Sequence, residues 1–174
     1  EGQRTLTPDA LDRLMLQKAE ALQRLVDCGV KSFAGVVELV RELVGKGIPL
    51  AVASGALRHE VRLFVNALGL LDAFSVVVAA EDVARSKPDP ETYALAVERL
   101  GALMGGTAPL PRFCVAIEDT VTGIESARKA GLVVLGVTNS YSAAELKPHA
   151  DCVVASLEEV GADKLSWLVQ AVNR

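Results

Sequence analysis

Two adjacent acids, Glu118 and Asp119, close an apolar run in VAIEDTVTGIESARKAG (115–131). Charge at the tip of a strand that reads as buried is costly unless it is paired or bound to a cation. Hard oxygen ligands in that place suit Mg²⁺, which takes one or two carboxylates together with substrate phosphate. Helix capping by Asp119, with Glu118 solvated, is the plainer alternative. Upstream, AVASGA (51–56) brings a hydroxyl, Ser54, and a permissive backbone amide, Gly55, to the start of a helix. That arrangement suits an anion such as phosphate, although Ser54 would serve equally as an ordinary N-cap. Between these stretches, Lys87 directly precedes Pro88-Asp89-Pro90, which predicts an extended backbone and a helix starting at a fixed point. A lysine held in this way can act as a point charge for phosphate, the alternative being a solvated loop lysine. Together the hydroxyl, the cation and the carboxylate pair read as phosphoryl chemistry with Mg²⁺.

These residues need a scaffold that gathers them, and the pattern supplies one. After an amphipathic helix over 8–28, helix 34–46 leads to strand 49–54, helix 57–69 and strand 75–80. Helix 90–101, strand 112–118, helix 121–130, strand 133–138, strand 151–156 and helix 157–172 complete the chain, with a loose segment at 101–111. Short continuous apolar runs separated by helices indicate parallel βαβ units. The fold class predicted is therefore α/β, a doubly wound parallel sheet with helices on both faces. In such sheets ligands bind beyond the carboxyl ends of the strands, where Ser54, Lys87, Glu118 and Asp119 fall.

Composition narrows the function further. Hydrophobic residues make up 51% of the 174 residues and aromatics only 4%, which suits strands buried on both faces. A net charge of −4, with no basic run, speaks against a nucleic-acid partner. Cys28, Cys114 and Cys152 are too far apart in sequence for a CxxC pair, and Cys114 and Cys152 read as small buried hydrophobes in a reducing, cytoplasmic setting. No stretch approaches the roughly 20 apolar residues of a membrane span, and EGQRTLTPDA shows no signal-peptide pattern. Arg58 and His59 read as solvated helix residues, His149 as a surface residue and Trp167 as core.

The stretches AVASGA (51–56), SKPDPETY (86–93) and IEDTVTGIESARKAG (117–131), in this order and spacing, resemble the haloacid dehalogenase superfamily. The likeness is to its phosphatase and β-phosphoglucomutase-like branch with a helical cap; GVVELVRELVGKGIPLAVASG (35–55) looks like the usual run into its second motif, and the likeness covers about residues 30–160. The resemblance implies that Ser54 binds the transferring phosphoryl group, with Gly55 beside it. Lys87 would neutralise that group and a nucleophilic carboxylate, and Asp119 with Glu118 would hold Mg²⁺. It further implies a small phosphorylated metabolite as substrate. The phosphoryl group would pass through a phospho-aspartyl intermediate to water, or to a second sugar hydroxyl in a mutase. A non-catalytic binding module is the third reading. The family's first motif, DxDGT, is not found, and no DxD occurs anywhere in the chain. The expectation is thus a missing N-terminal segment of the same protein, carrying the nucleophile upstream of residue 1. Residues 1–30 would then be the C-terminal part, a remnant, of the helical cap, and 31–174 a core lacking its first strand. Two central strand edges would be left unpaired, and the 174-residue chain alone would be inactive.

Overall fold

The computed structural model of the chain describes residues 7–106 and 108–174; residues 1–6 of the expected cap segment and position 107 of the expected loose segment lie outside it. Helix α1 (Pro8–Asp27) begins at Thr7, whose hydroxyl accepts the Ala10 N–H at 3.3 Å. Helix α2 (Val36–Gly45) follows Gly35, which sits at φ 80° against the backbone of Leu157 and Glu158, where a methyl group would overlap. Alternation then proceeds through β1 (Ala51–Ala53), α3 (Arg58–Ala67), β2 (Val76–Val78), α4 (Glu91–Leu103) and β3 (Val115–Glu118). Helix α5 (Val121–Lys129), β4 (Val133–Val137), α6 (Ala143–Leu146), β5 (Cys152–Val154) and α7 (Ala162–Val172) complete the order.

All strand pairing is parallel, as predicted, but the sheet lies in two parts. In one, β1 pairs with β2, placing Ala53 opposite Val78. In the other, β4 lies between β3 and β5, with Glu118 opposite Gly136 and Val137 opposite Val154. Among the described residues, β1 and β3 each keep one edge without a strand partner.

Strand β4 shows why the second part is the better buried. Val133, Leu135 and Val137 face a cluster with Leu39 and Leu43 of α2 and Leu168 of α7. Val134 faces the opposite cluster, with Ile124 and Ala127 of α5, Tyr93 of α4 and Leu146 of α6. This period-2 division covers both faces of the strand with helices. Beneath β1 and β2 a smaller cluster joins Val76, Val78 and Ala96. At the open edge of β3, Ile117 is 36% exposed even though it lies on a strand.

Several expectations need correction. The last helix begins at Ala162 after a 3₁₀ turn over Leu157–Glu159 and buries Ala162 and Leu168, which turns Trp167 outward to 60% exposure rather than into the core. The polar stretch before Pro148 contains α6, started by Ser142 and Glu145, a capping pair legible as S-x-x-E. Helix α4 runs to Leu103, so the segment expected to be loose from 101 is partly helical. Cys114 and Cys152 are half-buried rather than buried, and Cys28 is exposed. Helix α1 packs on α3 but leaves Leu11, Leu14, Leu16 and Leu25 at about half exposure or more.

Candidate active site

Ser54, Gly55, Glu118 and Asp119 lie at the carboxyl ends of β1 and β3, and Lys87 lies in the loop between β2 and α4. Just past β1, the Ser54 N–H donates to the Val78 carbonyl (2.9 Å), extending the ladder by one residue. Its Oγ accepts the Ala56 N–H at 3.1 Å, so the hydroxyl proton is left to donate outward. Gly55 is exposed and faces open space, so its backbone is accessible to a ligand.

Lys87 is held by the loop that carries it. The Glu91 carboxylate accepts the Ala84 and Arg85 N–H groups at 2.9 and 3.0 Å. From α5, Ser126 Oγ donates to the Asp89 carbonyl (2.5 Å) and Lys129 Nζ to the Pro88 carbonyl (3.2 Å). The Lys87 side chain, only 18% exposed, donates to the Ala53 carbonyl at 3.1 Å and pairs with Glu118 Oε1. It therefore joins the end of β1 to the end of β3 across the division of the sheet.

Glu118 is 8% exposed and engaged through both of its carboxylate oxygens. Its Oε1 accepts from Lys87 and from the Tyr93 hydroxyl (2.5 Å), and its Oε2 from Thr120 Oγ1 (3.2 Å). The carboxylate lies on the bare backbone of Gly123, where a methyl group would overlap it. Thr120, not Asp119, caps α5, its Oγ1 accepting the Gly123 N–H at 3.1 Å. Neither half of the capping alternative therefore holds. Asp119 instead accepts from Ser140 Oγ at 2.5 Å, beyond the end of β4.

These two neighbouring carboxylates offer the hard oxygen donors that Mg²⁺ favours. Among the described residues there is no group of three or more His, Cys, Asp or Glu side chains that could enclose a metal. Donors this few fit an ion that keeps water and substrate phosphate in its remaining positions.

Tyr93 and Ser140 were not anticipated. An aromatic residue on a helix reads as core, and Tyr93, 7% exposed, does belong to one; its hydroxyl is what reaches the site. Burial above all, then the adjoining Glu118 carboxylate, push its phenol well above the ordinary tyrosine range. Ser140 could have been found by extending the inspection of strand ends to β4. Arg58 also differs from its solvated reading. It donates to the Val77 carbonyl at 3.1 Å and pairs with Asp82, which Arg99 also binds at 3.0 Å. The Arg99 hydrogen bond first, then the Ala79 N–H, pull the Asp82 carboxyl down to about 2. His59 is exposed, and His149 is half-exposed 3.9 Å from Glu125.

No helix among the described residues is long and apolar enough to cross a membrane. In sequence, the chain is 32% identical over 126 residues to validoxylamine A 7'-phosphate phosphatase of Streptomyces hygroscopicus subsp. limoneus, covering 72% of this chain and 55% of that one. It is 33% identical over 136 residues to fructose-1-phosphate phosphatase YqaB of Escherichia coli, covering 78% and 66%. The chain thus spans little more than half the length of the first of these relatives. In structure, it matches β-phosphoglucomutase from Clostridium difficile with a TM-score of 0.81 over 99% of this chain and 73% of that one, at 20% identity, a likeness of fold. A family model described as haloacid dehalogenase-like hydrolase matches residues 4–131, and the chain belongs to that family.

Proposed function

We propose that the complete protein is a Mg²⁺-dependent phosphatase of a small phosphorylated metabolite. The observation that carries this reading is the convergence of Lys87, Glu118 and the Ala53 carbonyl beside Ser54 and Asp119. Relatives named as phosphatases of phosphorylated small molecules support it. Ser54 donates its hydroxyl proton to a phosphoryl oxygen, and Lys87 neutralises the transferring group and the attacking carboxylate. Asp119, with Glu118, holds the Mg²⁺, which supplies further charge neutralisation when bound. The attacking aspartate belongs to chain beyond these 174 residues. Its oxygen forms a bond to phosphorus while the substrate's P–O bond breaks, and the leaving alcohol oxygen takes a proton from an acid neighbouring that aspartate, which regains it from the water that attacks next. Water then attacks the phospho-aspartyl group, releasing inorganic phosphate and restoring the carboxylate. The three free cysteines suit the reducing cytoplasm in which we place it.

The test is release of inorganic phosphate from sugar phosphates by the full-length protein, with Mg²⁺ and with chelator. Release that depends on Mg²⁺ and falls by several powers of ten in Asp119→Ala supports the reading. Isomerisation of a hexose phosphate without net phosphate release would convert it to a mutase. Wild-type turnover in Asp119→Ala, or no activity of either kind, would overturn it. The 174-residue chain alone is expected to show no turnover with any metal.

A further inference from the structure

The geometry points to Tyr93 as a positioning residue that decides which oxygen of Glu118 is left free for a cation. This rests on the proposed metal-holding role of Glu118 and adds a residue to which that role assigns nothing. Tyr93 stands in the first turn of α4, its ring packed among Ala116, Ile124 and Val134 and only 7% exposed. Enclosed in this way, it touches the site only through its hydroxyl and the ring face beneath Lys87, whose Nζ lies 4.8 Å from the ring centroid.

Counting acceptor sites gives the consequence. Each oxygen of an ionised carboxylate offers about two lone-pair sites. Oε1 of Glu118 receives Tyr93 Oη at 2.5 Å and the Lys87 ammonium, and is filled. Among the described residues Oε2 receives only Thr120 Oγ1, at 3.2 Å, which leaves one site open on the oxygen opposite the clamp. Thr120 is itself fixed, because the same hydroxyl caps α5. Glu118 is therefore presented with one direction of coordination, while the ring keeps Lys87 in place whether or not the carboxylate shifts.

Partners that orient a metal ligand in this manner typically change metal affinity 10- to 100-fold when removed. The experiment is Mn²⁺ binding to the full-length protein, read from the free-ion electron paramagnetic resonance signal. It compares wild type, Tyr93→Phe, Glu118→Asp, the double variant and Asp119→Asn, with thermal midpoints recorded for each. Phenylalanine keeps the ring and its volume, so the fold is expected to persist. Tyr93→Phe should weaken Mn²⁺ binding about 10- to 100-fold. In the Glu118→Asp background, where the shorter carboxylate no longer reaches the phenol, the same change should have less than about a twofold effect. Affinity in Tyr93→Phe within about twofold of wild type, while Asp119→Asn abolishes binding, would overturn the role of Tyr93 and leave the metal site standing. Equal losses in both backgrounds would overturn it too, by revealing a general packing effect. Absence of Mn²⁺ binding by the wild type would remove the metal site and the Tyr93 role together.

Discussion

Lys87 and Glu118 neutralise one another where neither has much access to water. Removing one partner from such a pair leaves a buried charge uncompensated, at a cost of about 3–5 kcal/mol. Lys87→Ala is therefore expected to lower both stability, by about 3 kcal/mol in urea unfolding, and turnover of the full-length protein, by about 10²–10³-fold or more. Gly123→Ala tests the floor of the same carboxylate, because its methyl group would occupy the place of the Glu118 head group. Alanine gains about 1 kcal/mol of helix propensity, yet the overlap should outweigh it, for a net loss of about 1–3 kcal/mol by thermal melting. At this scale the strand-tip rule selected Ser54, Lys87, Glu118 and Asp119 from the sequence as candidates. It missed Tyr93 because a side chain that is both core and site is read by its ring first. Arg58 was missed because its partner, Asp82, lies 24 residues away with nothing local to announce it.

Between elements, Asp82 ties together three parts of the molecule. It follows β2, accepts from Arg58 of α3 and Arg99 of α4, and also takes the Ala79 N–H at 2.8 Å. Both arginines in turn donate to the Val77 carbonyl of β2. Because the folded carboxyl titrates at about 2, below its ordinary 3.8, its contribution is complete above the ordinary value and is lost as pH falls through 2. Asp82→Asn should cost about 2 kcal/mol at pH 7, and the gap from wild type should narrow in unfolding experiments between pH 4 and pH 2. Apart from the four-residue α6, strand and helix order was legible here because each element carries its own periodicity and punctuation. The late start of α7 was not, since LEEVGADKL reads helically until the 3₁₀ turn at Leu157–Glu159 is known to pack on Gly35.

The molecule as a whole is unevenly secured. Strand β4 is buried along its entire length, whereas β1 has one paired neighbour and only partly buried residues. In deuterium exchange, the amides of β4 should be the slowest and those of β1 and β2 markedly faster; equal protection would contradict the division of the sheet. Helix α1 is held to this body through Lys18, which pairs at 2.6 Å with the buried Glu60 of α3. The parallel α/β class was readable from alternating elements, and the two unpaired edges at the division were expected from the family resemblance and its unfound first motif rather than from periodicity. The division has a colloidal consequence. A strand edge with unpaired N–H and C=O groups is a template for another chain, and among the described residues β1 and β3 each offer one at the division of the sheet, in addition to the outer edges of β2 and β5. Concentrated solutions of the 174-residue chain should therefore scatter light increasingly with time and gain β-rich oligomers, and arginine or proline placed along either edge at the division should slow their growth.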